Sequence, residues 1–339
     1  MFKNKKMSLF FAALLAITLT LTACGGKSSK EKLTESVSKL SDLESYTQNM
    51  SLSLNVETPE TADPSAAMMM SILNSAKLDL TAKANIKDMT QSGKINVAFS
   101  GMEYPLDFFY TTEKMMFKTP FDERYVNIDF PAEMKDAYSA DNMDLYKKMS
   151  DKMMNSLISK VDDKNISEAS ETVDGESYTA ITLVPTTKEM IESLKEVYTL
   201  IYTDETMRPM MIANTKSQMS MMGVEMSDEE IAAQLDESHK TMNESLDMMA
   251  EHVDFTGSTV KVLINKDELA TGFDATIAVK VSAPDESGDM SLTYKINGML
   301  TDINSTVVDA MPEVTEDQTM SAQEFMQILM GAFLGGGLE

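Results

Sequence analysis

Cysteine is all but missing from this chain: Cys24 is the only one in 339 residues. No intramolecular disulfide can form, and no cysteine metal cluster is possible. Histidine is nearly as scarce. His239 and His252 stand thirteen residues apart, about 3.6 turns of a helix, so they fall on different faces and do not readily share a metal. Basic charge is also short, with 29 Lys and Arg against 54 Asp and Glu and a net charge of −25. So acidic a body repels phosphate backbones, which argues against a nucleic-acid partner, and it stands off an anionic membrane surface. The motifs of catalysis are lacking too. There is no Gly-x-Ser-x-Gly elbow, no phosphate-cradling glycine loop before a helix and no EF-hand spacing. The acidic groups Asp162-Asp163, Asp228-Glu229-Glu230 and Asp285-Glu286 read as turns and a helix N-terminus, where acids complement the dipole. The expectation is a protein that is not an enzyme and holds neither cofactor nor metal.

A membrane-spanning run is lacking as well. The apolar segment Met7–Leu21 is about 15 residues, short of the ~20 a spanning helix needs. It follows Lys3, Lys5 and Lys6 and leads into Leu21-Thr22-Ala23-Cys24. That order resembles the signal peptide and lipobox of bacterial lipoproteins. The resemblance implies a signal over residues 1–23, cleavage before Cys24 and lipid attachment at its sulfur through diacylglycerol and fatty chains of the palmitate class. The mature chain would then sit on the extracytoplasmic face of the cell membrane, a lipid anchor being its membrane partner. Two acyl chains hold a protein stably where one does not, each buried CH₂ contributing ~0.8 kcal/mol. Residues 24–32, small and polar after the cysteine, read as a flexible tether.

What is present is periodicity. Leu33, Val37, Leu40 and Leu43 recur at helical spacing. Past them the period drops to two: Met50 to Val56, Leu78 to Ile86, Ile95 to Phe99, Leu106 to Tyr110, and Val126 with Ile128. Alternation of this kind puts one face in the core and one in water, as antiparallel strands do. Turns are expected at Asp88–Gly93 and Ser100-Gly101, and a long loop with room for a helical turn over Thr58–Asn74. Helices are expected after Pro131, carrying Leu145, Tyr146, Met149, Met153 and Leu157, and after the capping boxes Thr186/Glu189 and Ser227/Glu230. Strands return at Thr179–Leu183, Val260–Ile264, Phe273–Val281 and Leu292–Ile296. The whole reads as a single α+β domain over 33–339.

A lipobox, a leading helix, alternating antiparallel strands, inserted helices and closing strands together resemble the LolA/LppX-like lipoproteins. The run Val262-Leu263-Ile264-Asn265-Lys266-Asp267 is also similar to a strand-and-turn of Gram-positive lipoproteins of this type. The resemblance implies a curved antiparallel half-barrel sheet wrapping helices around an apolar ligand of the lipid class. Alternation nominates Leu52, Leu54, Leu80, Val97, Phe99, Phe108, Leu183, Val262, Ile264, Ile277 and Val279 as its lining. The rival expectation is a structural or regulatory lipoprotein with a filled core and a protein partner in the membrane or cell envelope.

Thirty-two methionines admit three readings. Met149, Met153, Met190, Met242 and Met249 take apolar helix positions as adaptable core residues. The same side chains suit a malleable lipid-facing lining, and Met219, Met221 and Met222, or Met248, Met249 and His252, could offer soft ligands to Cu(I). A last helix, capped by Ser321 and Glu324, carries Phe325, Met326, Ile328, Leu329, Met330, Phe333 and Leu334. It is apolar almost all round, which suits docking into the body, plugging a cavity mouth or touching a membrane or partner.

Overall fold

The computed structural model describes residues 27–57, 70–71, 73–99, 101–130, 140–205, 207–221, 224–282 and 289–333. Cys24, Met68, Met69, Met222 and Leu334 lie outside these, as do the side chains of Phe99, Leu145, Tyr146, Met149, Met221, Met326, Leu329, Met330 and Phe333.

The leading helix, α1 (Ser29–Ser38), starts at a capping box in which the Ser28 N–H donates to the Glu31 carboxylate at 2.7 Å. A meander follows: β1 (Ser45–Glu57), β2 (Lys77–Asn85), β3 (Thr90–Phe99), β4 (Met102–Tyr110), β5 (Lys114–Lys118) and β6 (Tyr125–Asp129). Then come helix α2 (Ala140–Lys160) and the hairpin of β7 (Ile166–Val173) with β8 (Glu176–Leu183). Three helices come next, α3 (Thr187–Thr203), α4 (Met207–Met221) and α5 (Asp228–His252). Strands β9 (Val253–Asp254), β10 (Thr259–Ile264), β11 (Ala270–Val281), β12 (Met290–Thr301) and β13 (Thr319–Ser321) precede the last helix, α6 (Ala322–Phe333).

The strands form one open, curved 13-stranded sheet in the order β13-β6-β5-β4-β3-β2-β1-β12-β11-β10-β8-β7, with β9 beside β11. Every pair is antiparallel except β13 on β6. The two halves of the chain meet where β1 pairs with β12 over eleven residues, from Thr47 opposite Thr301 to Glu57 opposite Ser291.

Strands β5, β7, β9 and β13 and helix α4 are additions to the sequence expectation, and each has a reason. Met116 in β5 points away from the apolar face yet is 0% exposed, so β5 is apolar on both sides and shows no alternation. Strand β7 is an edge strand, apolar mainly at its ends. Its turn, Asp174-Gly175, has φ of 51° and 86°, the two positive values a two-residue hairpin of the I′ kind requires. Helix α4 contains Pro209, which is tolerated in a first turn because its missing N–H has no partner there. Gly93, expected in a turn, lies inside β3 opposite Phe108.

Helices cover the sheet on one face. Leu33 of α1 and Ile158 and Val161 at the end of α2 form a buried cluster with Ile181, Leu183 and Ile264 of the sheet. Leu33 is 1% exposed; burying such a side chain is worth about 1.5–3 kcal/mol. Helices α3, α4 and α5 extend the layer from α2, with α3 packing on α2 and α5. Both expected capping boxes are formed. The first does more than cap. The buried Glu189 carboxylate accepts from Thr186 N–H and Oγ1, Asp162 N–H and Asn165 Nδ2 at 2.6–3.0 Å. It thereby ties α3 to the end of α2 and the start of β7.

Burial pushes the Glu189 carboxyl up, but the donors from Thr186, Asp162 and Asn165 outweigh it and hold it below its ordinary value. Glu189→Gln is therefore expected to destabilise the fold by about 2 kcal/mol at pH 7. A depressed folded-state pKa gives stability that is present above the ordinary value of about 4.3 and lost as pH falls through the folded value. The gap between the melting temperatures of the wild type and Glu189→Gln should thus narrow below about pH 4, which thermal melts across pH 2–7 will check.

The methionines divide. Met116 and Met207 are buried, and Met153, Met190 and Met242 are half-buried. Met248 and Met249, by contrast, lie exposed on α5 at 62% and 36%, so the core role expected of Met249 is corrected. His239 is not simply solvated. It stacks on Tyr202 with ring centroids 5.3 Å apart, and its Nε2 lies 2.9 Å from Asn243 Nδ2. His252 is exposed.

Candidate functional site

Side chains directly opposite one another in an antiparallel pair share a face, so the register shows what each face carries. One row runs Leu183, Val260, Ala275, Ile296, Leu52, Leu78, Val97, Tyr104 from β8 to β4. The next runs Ile181, Val262, Phe273, Gly298, Met50, Leu80, Ile95, Leu106. A third continues toward the far edge as Ala82, Gly93, Phe108, Phe117, Val126, Met320. Above them, Ile277 lies opposite Tyr294 and Leu54, and Val279 opposite Leu292 and Val56. Ile264 faces the α1–α2 cluster. All eleven nominated positions therefore sit on a single face, Phe99 by its register opposite Met102.

That face is unevenly covered. Its β8–β10 end is sealed by the α1–α2 cluster. At the β5–β6 end Val126 and Met320 are buried. Between the two ends, Leu52, Leu54, Leu78, Leu80, Ile95, Val97, Leu106, Leu292 and Ile296 are only half-buried. The result is an apolar strip five strands wide, from β12 to β4, or roughly 24 Å at the usual strand spacing. Two glycines let rings lie across it. A Cβ on Gly298 would stand 2.5 Å from the Phe273 ring, and one on Gly93 would stand 2.8 Å from Phe108 Cε1.

Polar chemistry is confined to the margins. Tyr46, opposite Ala84 on the apolar face, has its hydroxyl pushed above the ordinary value by burial. Glu168, at the β7 edge, is held below the carboxylate range by Lys32 at 2.7 Å, against the opposing effect of burial. The other face of the sheet carries a shallow groove of about 530 Å³ lined by Asn49, Ser51, Asp79, Thr81, Glu171, Lys261, Asp274 and Asn297 among others. It brings β2 and β7 to one concavity, where polar residues alternate with Val173, Leu263 and Met299. None of the eleven nominated residues except Leu80 borders it. Among the described residues no three His, Cys, Asp or Glu side chains form a metal-binding group. Also among them, no helix is long and apolar enough to cross a membrane.

The sequence reading missed Phe117 and Met320, and placed Phe273 in a strand without nominating it to the lining. Phe117 and Met320 lie on short strands with too few residues to show a period. Phe273 was legible as a strand residue, but its place over Gly298 needs the register.

No family model matches the chain, and no curated protein is similar to it in sequence. In structure the chain is similar to lipoprotein LppX of Mycobacterium tuberculosis, with a TM-score of 0.37 and 12% identity, covering 83% of this chain and 97% of that one. It is also similar to LprF of Mycobacterium bovis, with a TM-score of 0.36 and 10% identity over 85% and 100% of the two chains.

Proposed function

We propose that this protein is a lipoprotein, anchored through Cys24 to the extracytoplasmic face of the cell membrane, that holds an apolar ligand, a lipid, against one face of its sheet. The observation that carries this reading is the half-buried apolar strip from Leu292 and Leu54 to Leu106. A folded chain with 54 acidic residues to spend on its surface leaves this strip incompletely packed. Soluble proteins rarely keep so wide an apolar patch without an occupant.

The mechanism is burial without chemistry. Acyl surface laid on the strip leaves water at ~25 cal/mol per Å², and few polar anchors are needed. Signal cleavage before Cys24, the tether over 24–32 and a single α+β unit over 33–339 complete the proposal. Protein purified from its own host without detergent exchange should carry bound lipid. Native mass spectrometry and solvent extraction should recover about one molecule per chain, and repeated recovery of none would sink the reading.

A second reading has one observation in its favour. The cluster of Leu33, Ile158 and Val161 fills part of the same face, as expected of a structural or regulatory lipoprotein that meets a protein partner in the cell envelope. Lipid-free protein that pulls one envelope protein down in stoichiometric amount would favour it.

A further inference from the structure

The apolar face changes character along its strands. From Met50 to Val56 every β1 side chain on it is hydrocarbon or thioether, and β2 and β3 add Leu78, Leu80, Ile95 and Val97. Toward the start of β1 polar groups enter. Gln48 lies opposite Ala82, which faces Gly93, and one step further Tyr46 lies opposite Ala84, which faces Gln91. The two-residue alternation puts all six on the same face as Leu80. Tyr46 and Gln91 are two strands apart, roughly 10 Å, and the alanine between them is too short to separate their tips.

Three features define what this end would take. The first is neutral hydrogen bonding. Each Gln amide both donates and accepts, and burial, which pushes the Tyr46 hydroxyl up, keeps it a protonated donor. Ala82 and Ala84 are buried while Tyr46, Gln48 and Gln91 are half-buried, and no other described residue engages the three polar side chains. The second is charge. By register no Asp, Glu, Lys or Arg stands on this face of β1, β2, β3 or β4. A phosphate or carboxylate laid there would lose water without gaining a cation. The third is length. From Gln48 to Leu54 the strand gives roughly 20 Å of apolar track, room for an extended long acyl chain.

We infer that Tyr46, Gln48 and Gln91 form the head-group end of the strip, and that they select a lipid with an uncharged, hydroxyl-bearing head of the acylglycerol class over its phosphorylated counterpart. The acyl chain then runs along β1 toward Leu54. This inference rests on the lipid-holding reading above. It adds the direction in which the ligand lies and the chemistry of its head.

The test uses the full chain with Cys24→Ser, which carries no acyl groups of its own. Three ligands share one oleoyl chain: 1-oleoylglycerol, its 3-phosphate and methyl oleate. Their affinities are read by displacement of N-phenyl-1-naphthylamine fluorescence. The chain should bind 1-oleoylglycerol about 10-fold more tightly than either of the others. Gln48→Leu combined with Gln91→Leu should lower the affinity for 1-oleoylglycerol about 10-fold and leave that for methyl oleate unchanged. Equal affinity for all three ligands, or tighter binding of the phosphate, would overturn the head-group site and leave the lipid reading standing. So would an equal loss for 1-oleoylglycerol and methyl oleate in a double variant whose melting transition is intact. Binding of none of the three would overturn both. Tyr46→Phe, which removes one oxygen and keeps the ring, decides the matter if the double variant does not fold. It should cost 1-oleoylglycerol about 3-fold and methyl oleate nothing, and an unchanged affinity for 1-oleoylglycerol overturns the site.

Discussion

Leu80→Asp is expected to abolish lipid recovery from the purified protein while leaving it folded. Leu80 stands at the middle of the strip, directly opposite Met50 on one side and Ile95 on the other. It is only half-buried, so in the empty protein a carboxylate there reaches water and the fold tolerates it. Under an acyl chain the same carboxylate loses that water with no donor in reach, a penalty of roughly 3 kcal/mol or more. That corresponds to about a 100-fold loss of affinity. Ser53→Asp is the matching control. Ser53 lies on the polar face between Lys77 and Lys295, where a carboxylate is welcome, and lipid content should not change. Equal lipid content in Leu80→Asp and Ser53→Asp would count against the strip as the binding surface.

Gly93→Val is expected to have the largest effect on stability. A Cβ at Gly93 would sit 2.3 Å from the Thr81 carbonyl oxygen, 2.8 Å from Ala82 Cα and 2.8 Å from Phe108 Cε1. Two of these are backbone atoms of the neighbouring strand and cannot rotate away, so β2 and β3 must part or the register must slip. A loss of about 3 kcal/mol or more is expected, at the top of the range for overpacking. Gly298→Ala makes the comparison. There the close atoms are Phe273 ring carbons at 2.5 and 2.8 Å, with the Asn49 carbonyl at 3.3 Å. A ring can swing where a backbone cannot, so the loss should be nearer 1–2 kcal/mol. Urea midpoints of the two variants will rank them, and the reverse order would show that the rings rather than the strand spacing set the register.

Both predictions depend on features with very different legibility in sequence. Leu52, Leu80, Val97 and Val262 were readable because each lies in a strand wet on one side, where polar and apolar residues must alternate. The capping boxes at Thr186 and Ser227 were readable because a cap is satisfied by residues three apart. Met116 defeats the same reasoning. It is buried on the face that is wet elsewhere in the sheet, so both faces of β5 are apolar. Gly93 defeats it as well, since a glycine required by a cross-strand ring looks like a glycine required by a turn.

The two-residue rhythm on its own determined that the protein is built on antiparallel strands with one greasy side, and the capping boxes determined where α3 and α5 begin. Both are local demands, met by neighbours within a few residues. The tertiary structure decided that the greasy sides of strands from both halves join through β1 and β12, that among the described residues the two ends of that face are buried and its middle half-buried, and that the final segment passes round an edge from one face to the other. Those arrangements rest on contacts between residues more than two hundred positions apart, such as Lys83 with Asp309 and Phe117 with Phe325, and pairings at that distance leave no periodic mark along the chain.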